Sequence, residues 1–257
     1  MNPPPAEPFE IFPFYRRRCS HRRSWFGRAS RWMPAQFADE LRFEWRMFKV
    51  RFRSKRRRRR FESMRDILLN VGCGRAGREG WVNLDGAGGE TVNCVWDARR
   101  SLPFADRSVR GLFCEHFLEH LEYTREVPLF LNECRRVMQA GAVARFIVPD
   151  AGRYLRAYAA GGWDQLAALR PLTGEHRDHW FGHAYHTPME LVNVVFRQGV
   201  EHQFAWDEDT LRHALSACGF ESVKPRRFGE SADPRLLIDT PERAGESLYV
   251  EAVRPGG

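Results

Sequence analysis

The residues best suited to chemistry begin at Gly72-Cys73-Gly74-Arg75-Ala76-Gly77, directly after the short apolar run Ile67-Leu68-Leu69-Asn70-Val71. Glycines in such a turn let a ligand approach the backbone, and amides beyond a strand end point into the gap there. The pattern fits G-x-G-x-x-G, the phosphate-cradling turn of dinucleotide sites. Two spacings oppose that use. A dinucleotide fold places a full helix after the glycines and its ribose-binding acid ~20 residues further on. Here Gly80-Trp81 interrupts any helix, and Asp85, closing the next strand, comes 13 residues after Gly72. A pyrophosphate also favours a helix N-terminus, and little helix is available here. A ligand with a ribose and no phosphates suits this turn better.

Histidines are the second resource. His116 follows the fourth apolar run, and His120 lies four residues on, on the same face if that stretch is helical. Five of the nine histidines (His176, His179, His183, His186 and His202) fall within residues 174–206. Their H-x-x-H spacing is compatible with a metal, but no cysteine is nearby and no specific zinc pattern is matched, so no metal site is expected. His116 and His186 are the catalytic candidates, and Trp180 and Tyr185 suit stacking on a sugar or an aromatic acceptor. No G-x-S-x-G, P-loop or Pro-Cys pair is present, which sets aside the chemistries those motifs carry.

These residues need strands to position them. Strands are predicted at 67–71, 81–84, 92–96, 109–114 and 143–148, with an amphipathic helix over 124–139 closed by Ala140-Gly141. A further helix over 208–217, with Gly219 as its cap, precedes two more strands at 222–228 and 247–253. Strands alternating with helices mean βα units on a parallel sheet, an α/β fold.

Six ordered blocks carry a family resemblance. They are NVGCG at 70–74, GWVNLD at 80–85, DARRSLPF at 97–104, LEHL at 118–121, RVMQAG at 136–141 and VPD at 148–150. Together they resemble class I S-adenosylmethionine-dependent methyltransferases, in particular a group of small bacterial predicted methyltransferases. The resemblance implies a doubly wound, mostly parallel Rossmann-like sheet with an antiparallel last strand at 247–253. It also implies S-adenosyl-L-methionine as cofactor. Gly72 and Gly74 would line its methionine and ribose part, and Asn70 stands where an acid commonly holds the methionine amino group. Asp85 would take the ribose hydroxyls. Asp97 would accept from the adenine amino group, with the backbone N–H of Ala98 toward the ring. Glu115 and His116 would flank the methyl group. The expected acceptor is a small molecule or a saccharide, in the setting of cell-surface polysaccharide synthesis. An RNA-directed or nucleic-acid-binding protein, and a non-catalytic cofactor-binding regulator, are the alternatives.

Charge divides the chain. Residues 1–65 hold 19 Lys/Arg against 6 Asp/Glu, and residues 66–257 hold 22 against 27, so the net +8 comes wholly from the first quarter. That segment lies outside the resemblance. Residues 1–34 are Pro- and Arg-rich and read as irregular. Residues 35–65 combine an amphipathic helix, whose face is Phe37, Leu41, Trp45, Phe48 and Phe52, with a solvated polybasic linker from Lys55 to Arg60. The helix has three possible uses: covering the cofactor site, resting on an anionic membrane surface, or gripping nucleic acid. A domain over 66–257, with a His-rich insert at 174–206, completes the chain. Six scattered cysteines without CxxC spacing, and no apolar run long enough to span a bilayer, suggest a reducing cytoplasm, with peripheral contact at the inner membrane face.

Overall fold

The computed structural model describes residues 35–174, 176–178, 183–198 and 201–256. The irregular stretch expected over 1–34, and His179 and Trp180, lie outside the described residues.

The short apolar runs become strands. They are β1 (Ile67–Val71), β2 (Val82–Asp85), β3 (Cys94–Val95), β4 (Val109–Glu115) and β5 (Met138–Pro149), joined later by β8 (Glu221–Arg226) and β9 (Ser247–Val253). The seven form one sheet in the order β3-β2-β1-β4-β5-β9-β8. β1 pairs in parallel with both β2 and β4, and β4 with β5, while β9 runs antiparallel between β5 and β8. Strands buried on both faces need unbroken apolar side chains, and Leu69, Val71, Leu112, Phe146 and Val148 are fully buried. The order reverses between β1 and β4. Their carboxyl ends therefore flank the crevice where open α/β sheets bind ligands. This is a doubly wound, mostly parallel Rossmann-like α/β sheet, with the last strand antiparallel as expected.

The helix after β4, α3 (Glu126–Val137), buries Val127, Phe130, Leu131, Cys134 and Val137 against the sheet. It stops at Val137 rather than at Ala140-Gly141. Met138 is already extended, and Gly141, at φ +76°, is taken into β5. α7 (Glu208–Ala217) is capped by Asp207, which accepts from the Thr210 amide, and Gly219 follows it at φ +80°.

The insert is larger than residues 174–206. Between β5 and α7 lie α4 (Ala151–Ala159), α5 (Trp163–Leu169), the two-stranded β6 (Leu172–Thr173) and β7 (Arg177–Asp178), and α6 (Pro188–Arg197). Tyr154, Leu166, Tyr185, Leu191 and Val195 give this unit a small core of its own. Polar groups join it to the sheet. Arg170 donates to Asp178 and Glu246, Tyr154 donates to Glu246, and Tyr185 donates to Asp178. Glu246 immediately precedes β9, so the insert is fixed to the carboxyl edge.

The N-terminal helix, α1 (Ala35–Ser54), forms as expected, with its apolar face turned outward. Phe37, Leu41, Trp45, Phe48 and Phe52 are 36% to 68% exposed, whereas Met47 is 3% exposed. Periodicity defines a face but not its neighbour. The buried side is chosen by Met47, packed at Gly86, and by Arg51. The polybasic stretch is helical rather than an open linker. A 3-10 turn at Lys55–Arg57 leads into α2 (Arg58–Glu62). Its cations are exposed, and Phe61 anchors it by packing edge-on to Phe104 at 6.0 Å.

Candidate functional site

The glycine turn is held by asparagines on β1 and β2. The Asn70 amide donates to the Ala76 carbonyl at 3.2 Å and to Asn83 Oδ1 at 3.4 Å. Asn83 in turn accepts from the Arg78 amide and donates to the Arg78 carbonyl. The Asn of NVGCG and the Asn of GWVNLD thus brace one loop. Gly72 has φ +70°, and a Cβ there would stand 2.8 Å from Phe117, so both conformation and packing require glycine. Gly74 differs. Its φ is +50°, and a Cβ would meet nothing within 4 Å, so open space lies in front of it.

Asp85 ends β2 beside this space. Its Oδ2 accepts from the Gly74 amide at 2.9 Å and its Oδ1 from the Ala87 amide at 2.6 Å. A carboxylate has about four acceptor positions. Two amides orient it and leave capacity for a vicinal diol. The donor set and the open face of Gly74 both fit a ribose.

Asp97 is differently engaged. Its carboxylate accepts from Arg51 Nη1 at 2.7 Å, and from Arg99 Nε at 3.0 Å and Nη2 at 3.1 Å. Arg99 also donates to Glu44 of α1 at 2.6 Å. The acid that the resemblance assigns to the adenine amino group is therefore spent on two guanidinium groups, one of them from α1. Arg51 lies 46 residues away in sequence, so no local spacing reveals the pairing. Ala98 is buried in the main core next to it. With Met47 at Gly86 and Arg51 on Asp97, α1 lies across the loops that follow β2 and β3.

Burial alone would raise the Asp97 carboxyl, but hydrogen bonds and charge from Arg99, then Arg51, outweigh it and hold the group below the usual carboxylate range. A depressed folded value means that the stabilisation is complete above the unfolded value, ~3.9, and is lost as pH falls through the folded one. Asp97→Asn is expected to lower unfolding free energy at pH 7 by about 1–3 kcal/mol and to flatten the loss between pH 5 and pH 2. Urea titrations of both proteins across that range check this; parallel acid losses would count against the tether.

The end of β4 carries the other expected residues. Glu115 accepts from both the amide and the hydroxyl of Thr240, which pins the loop before β9 to the sheet edge. His116 takes φ +50°, its Nε2 shares a 2.9 Å hydrogen bond with Ser247 Oγ, and its Nδ1 lies 3.4 Å from Glu119 Oε1. Burial holds its imidazole well toward the neutral form. A cavity of about 560 Å³ opens here, lined by Arg75 of the glycine turn, His116, Arg170, His202, Arg243 and Glu246, among others. His186 is not among the lining residues. It is exposed one residue before the Thr187 cap of α6, where its amide donates to Glu190. His176 stacks on Trp163, with ring centroids 3.8 Å apart.

Sequence reasoning missed the burial of Glu119 and its meeting with His202. Two backbone bonds, from the Gln203 and Phe204 amides to the Glu119 carbonyl, bring the end of the insert to the 3-10 turn Leu118–His120. Burial pushes the Glu119 carboxyl up to about 6 and His202 down to about 3. The LEHL block was the one local signal, and it read as part of a family pattern rather than as a polar cluster.

No family model and no curated protein matches the chain. Solved structures do overlap it. A SAM-dependent methyltransferase from Archaeoglobus fulgidus is 18% identical, covers 86% of this chain and 100% of its own, and has a TM-score of 0.43. An S-adenosylmethionine-dependent methyltransferase from Mesorhizobium loti is 15% identical, with 75% and 93% covered and a TM-score of 0.40. Phosphoethanolamine N-methyltransferase 2 from Haemonchus contortus, in complex with S-adenosyl-L-methionine, is 11% identical, with 76% and 50% covered and a TM-score of 0.40. The strand order and the antiparallel β9, rather than these overlaps, define the fold.

Proposed function

We propose that the chain is an S-adenosylmethionine-dependent methyltransferase acting on a small polar acceptor, with a saccharide hydroxyl as the first choice. The observation that carries this reading is the convergence of the open face at Gly74, the carboxylate of Asp85 and the imidazole of His116 on the carboxyl edge at the strand-order reversal. The bound cofactor would supply a methyl group on a sulfonium, ready for in-line displacement. Asp85 would hold the ribose hydroxyls, Gly72 and Gly74 would let the cofactor lie against the turn, and Asn70 would keep that turn in shape. α1 would close the adenosine end through Met47 and the Arg51–Asp97 pair. Glu115 and Thr240 would keep the edge of β4 fixed beside the methyl group. His116, held neutral by burial, would receive the proton of an acceptor hydroxyl. The cavity's size and its polar lining support a small acceptor. Synthesis of cell-surface polysaccharide is the setting that the resemblance favours. Calorimetry of the full chain with S-adenosylmethionine and S-adenosylhomocysteine tests the reading, which fails if neither binds below millimolar concentration.

The outward face of α1 supports a peripheral location on an anionic membrane. Its aromatic side chains are exposed beside the exposed cations Lys55 to Arg60. An apolar stripe flanked by cations suits the interface of an anionic bilayer, where each cation contributes ~1 kcal/mol. Among the described residues no helix is long and apolar enough to cross a membrane. The chain is expected to sediment with phosphatidylglycerol vesicles but not with phosphatidylcholine vesicles, and Phe48→Asp to reduce that binding several-fold. Equal sedimentation of the variant would contradict this use of the helix.

A further inference from the structure

Three donor groups meet where the insert returns to the sheet. Glu119, His120 and His202 each offer a ligand atom, and these atoms lie within 4.8 Å of one another. Glu119 is 1% exposed, and neither of its carboxylate oxygens has a hydrogen-bond partner. A buried carboxylate left without donors is costly, and natural structures rarely keep one without a use. His116 Nδ1, 3.4 Å from Oε1, makes no hydrogen bond to it.

The two histidines are prepared for the same task. His120 Nδ1 lies 3.2 Å from the Glu201 carbonyl, and His202 Nδ1 lies 2.6 Å from the Val195 carbonyl. A carbonyl only accepts, so Nδ1 carries the proton in each ring, and Nε2 keeps its lone pair. Metal-binding histidines are commonly oriented through such a bond from the far nitrogen to a backbone carbonyl. The rings sit 4.9 Å apart and nearly perpendicular, at 81°, so they are not a stacked pair. Of the two guanidinium groups nearby, Arg170 is paired with Asp178 and Glu246, and Arg243 shares the adjoining cavity.

We infer that Glu119, His120 and His202 form a binding site for a divalent transition-metal ion, of the zinc, manganese or cobalt class. Two imidazoles and one carboxylate select such ions over calcium or magnesium, which prefer all-oxygen shells. Bonds of ~2.1 Å in a tetrahedral shell put donors ~3.4 Å apart. The three side chains therefore draw together by about an ångström on binding, a shift within the reach of side-chain torsions. Three protein ligands leave a further position open. His202 also lines the cavity that holds His116 and Arg75, so the site adjoins the acceptor space. Holding an acceptor oxygen there rests on the methyltransferase reading; the metal site itself does not.

The test uses the full chain freed of metal with a chelator and titrated with Zn²⁺ alone and Co²⁺ alone. One ion per chain is expected, at micromolar affinity or tighter, with Co²⁺ giving visible absorption bands that Zn²⁺ abolishes. Glu119→Gln and His202→Ala should each weaken binding at least ~10-fold, while His213→Ala, on the exposed side of α7, leaves it unchanged. The Co²⁺ spectrum of the wild-type chain supplies a readout should either variant fail to fold. No stoichiometric binding to the wild-type chain, or undiminished binding in both site variants, overturns the inference. Calorimetry with S-adenosylhomocysteine on the same metal-free protein separates the two ideas. Cofactor binding without metal binding sinks the metal site alone, and metal binding without cofactor binding sinks the methyltransferase reading alone.

Discussion

Asp85→Ala is expected to weaken S-adenosylhomocysteine binding by at least ~100-fold, read by calorimetry. The proposed ligand brings two ribose hydroxyls to one carboxylate, and a hydrogen bond to a charged group is worth ~1.5–3 kcal/mol. Losing two such bonds costs more than two factors of ten in affinity. The structure adds a second loss. Asp85 also receives the amides of Gly74 and Ala87, so its removal frees the part of the turn that presents open space to the ligand. Asp85→Asn keeps one carbonyl acceptor and should fall between the two. Asn70→Ala provides a contrast. It cuts the brace to Ala76 and Asn83 without touching Asp85, so stability should fall more than affinity. If Asp85→Ala binds as well as the wild-type chain, Asp85 has no ribose role and the proposed orientation of the cofactor is wrong.

Asp239→Ala is expected to cost about 3–5 kcal/mol in urea unfolding, because it removes the two-pronged partner of a buried cation and leaves Glu251 as its one remaining carboxylate. Arg145 on β5 is wholly buried. It donates to both oxygens of Asp239, at 2.7 and 2.6 Å, to Glu251 at 3.2 Å, and to the carbonyls of Glu230 and Arg227. Its guanidinium lies 5.0 Å from the centre of the Tyr249 ring. This network holds the segment between β8 and β9 against the sheet. Thr240, the next residue after Asp239, is the one that clamps Glu115 at the end of β4. A stability loss should therefore come with a loosened edge beside His116. Removing both members of the ion pair is gentler than removing one, so Arg145→Met with Asp239→Leu should lose less than Asp239→Ala alone. A double variant no more stable than the single one would count against the ion pair as the cause.

Much of the fold was legible because short-range rules govern it. Ile67–Val71 reads as a buried strand from its apolar run and the glycine behind it, and the antiparallel Ser247–Val253 follows the resemblance. Boundaries slipped where tertiary pairing extends an element. β5 starts at Met138 because β4 and β9 supply partners, and α3 ends accordingly. α4 and α5 join the insert because they share its small core and because Arg170, Glu246 and Asp178, from separate parts of the chain, tie them to the sheet edge, which no local spacing announces.

The candidate site divides in the same way. Gly72, Gly74 and Asp85 lie within 14 residues, and one turn between two strands brings them together. The sequence singles out His186 among the histidines of the insert as a catalytic candidate, yet it lies exposed at a helix start while His202 reaches Glu119. Asp97 looked free for a ligand, yet Arg51 and Arg99 occupy it.

By itself the sequence determined that the chain alternates strands and helices, that a glycine turn follows β1, and that the net positive charge comes from one end. Those properties depend on neighbours a few residues apart, where backbone sterics and hydrophobic periodicity are enough. Only the tertiary structure decided which face of α1 is buried, which acid stays available, and which histidines gather around Glu119. The deciding partners are far apart in sequence: Arg51 and Asp97 by 46 residues, His120 and Glu201 by 81. Burial and hydrogen-bond geometry choose the winner there, and residue type alone does not express them.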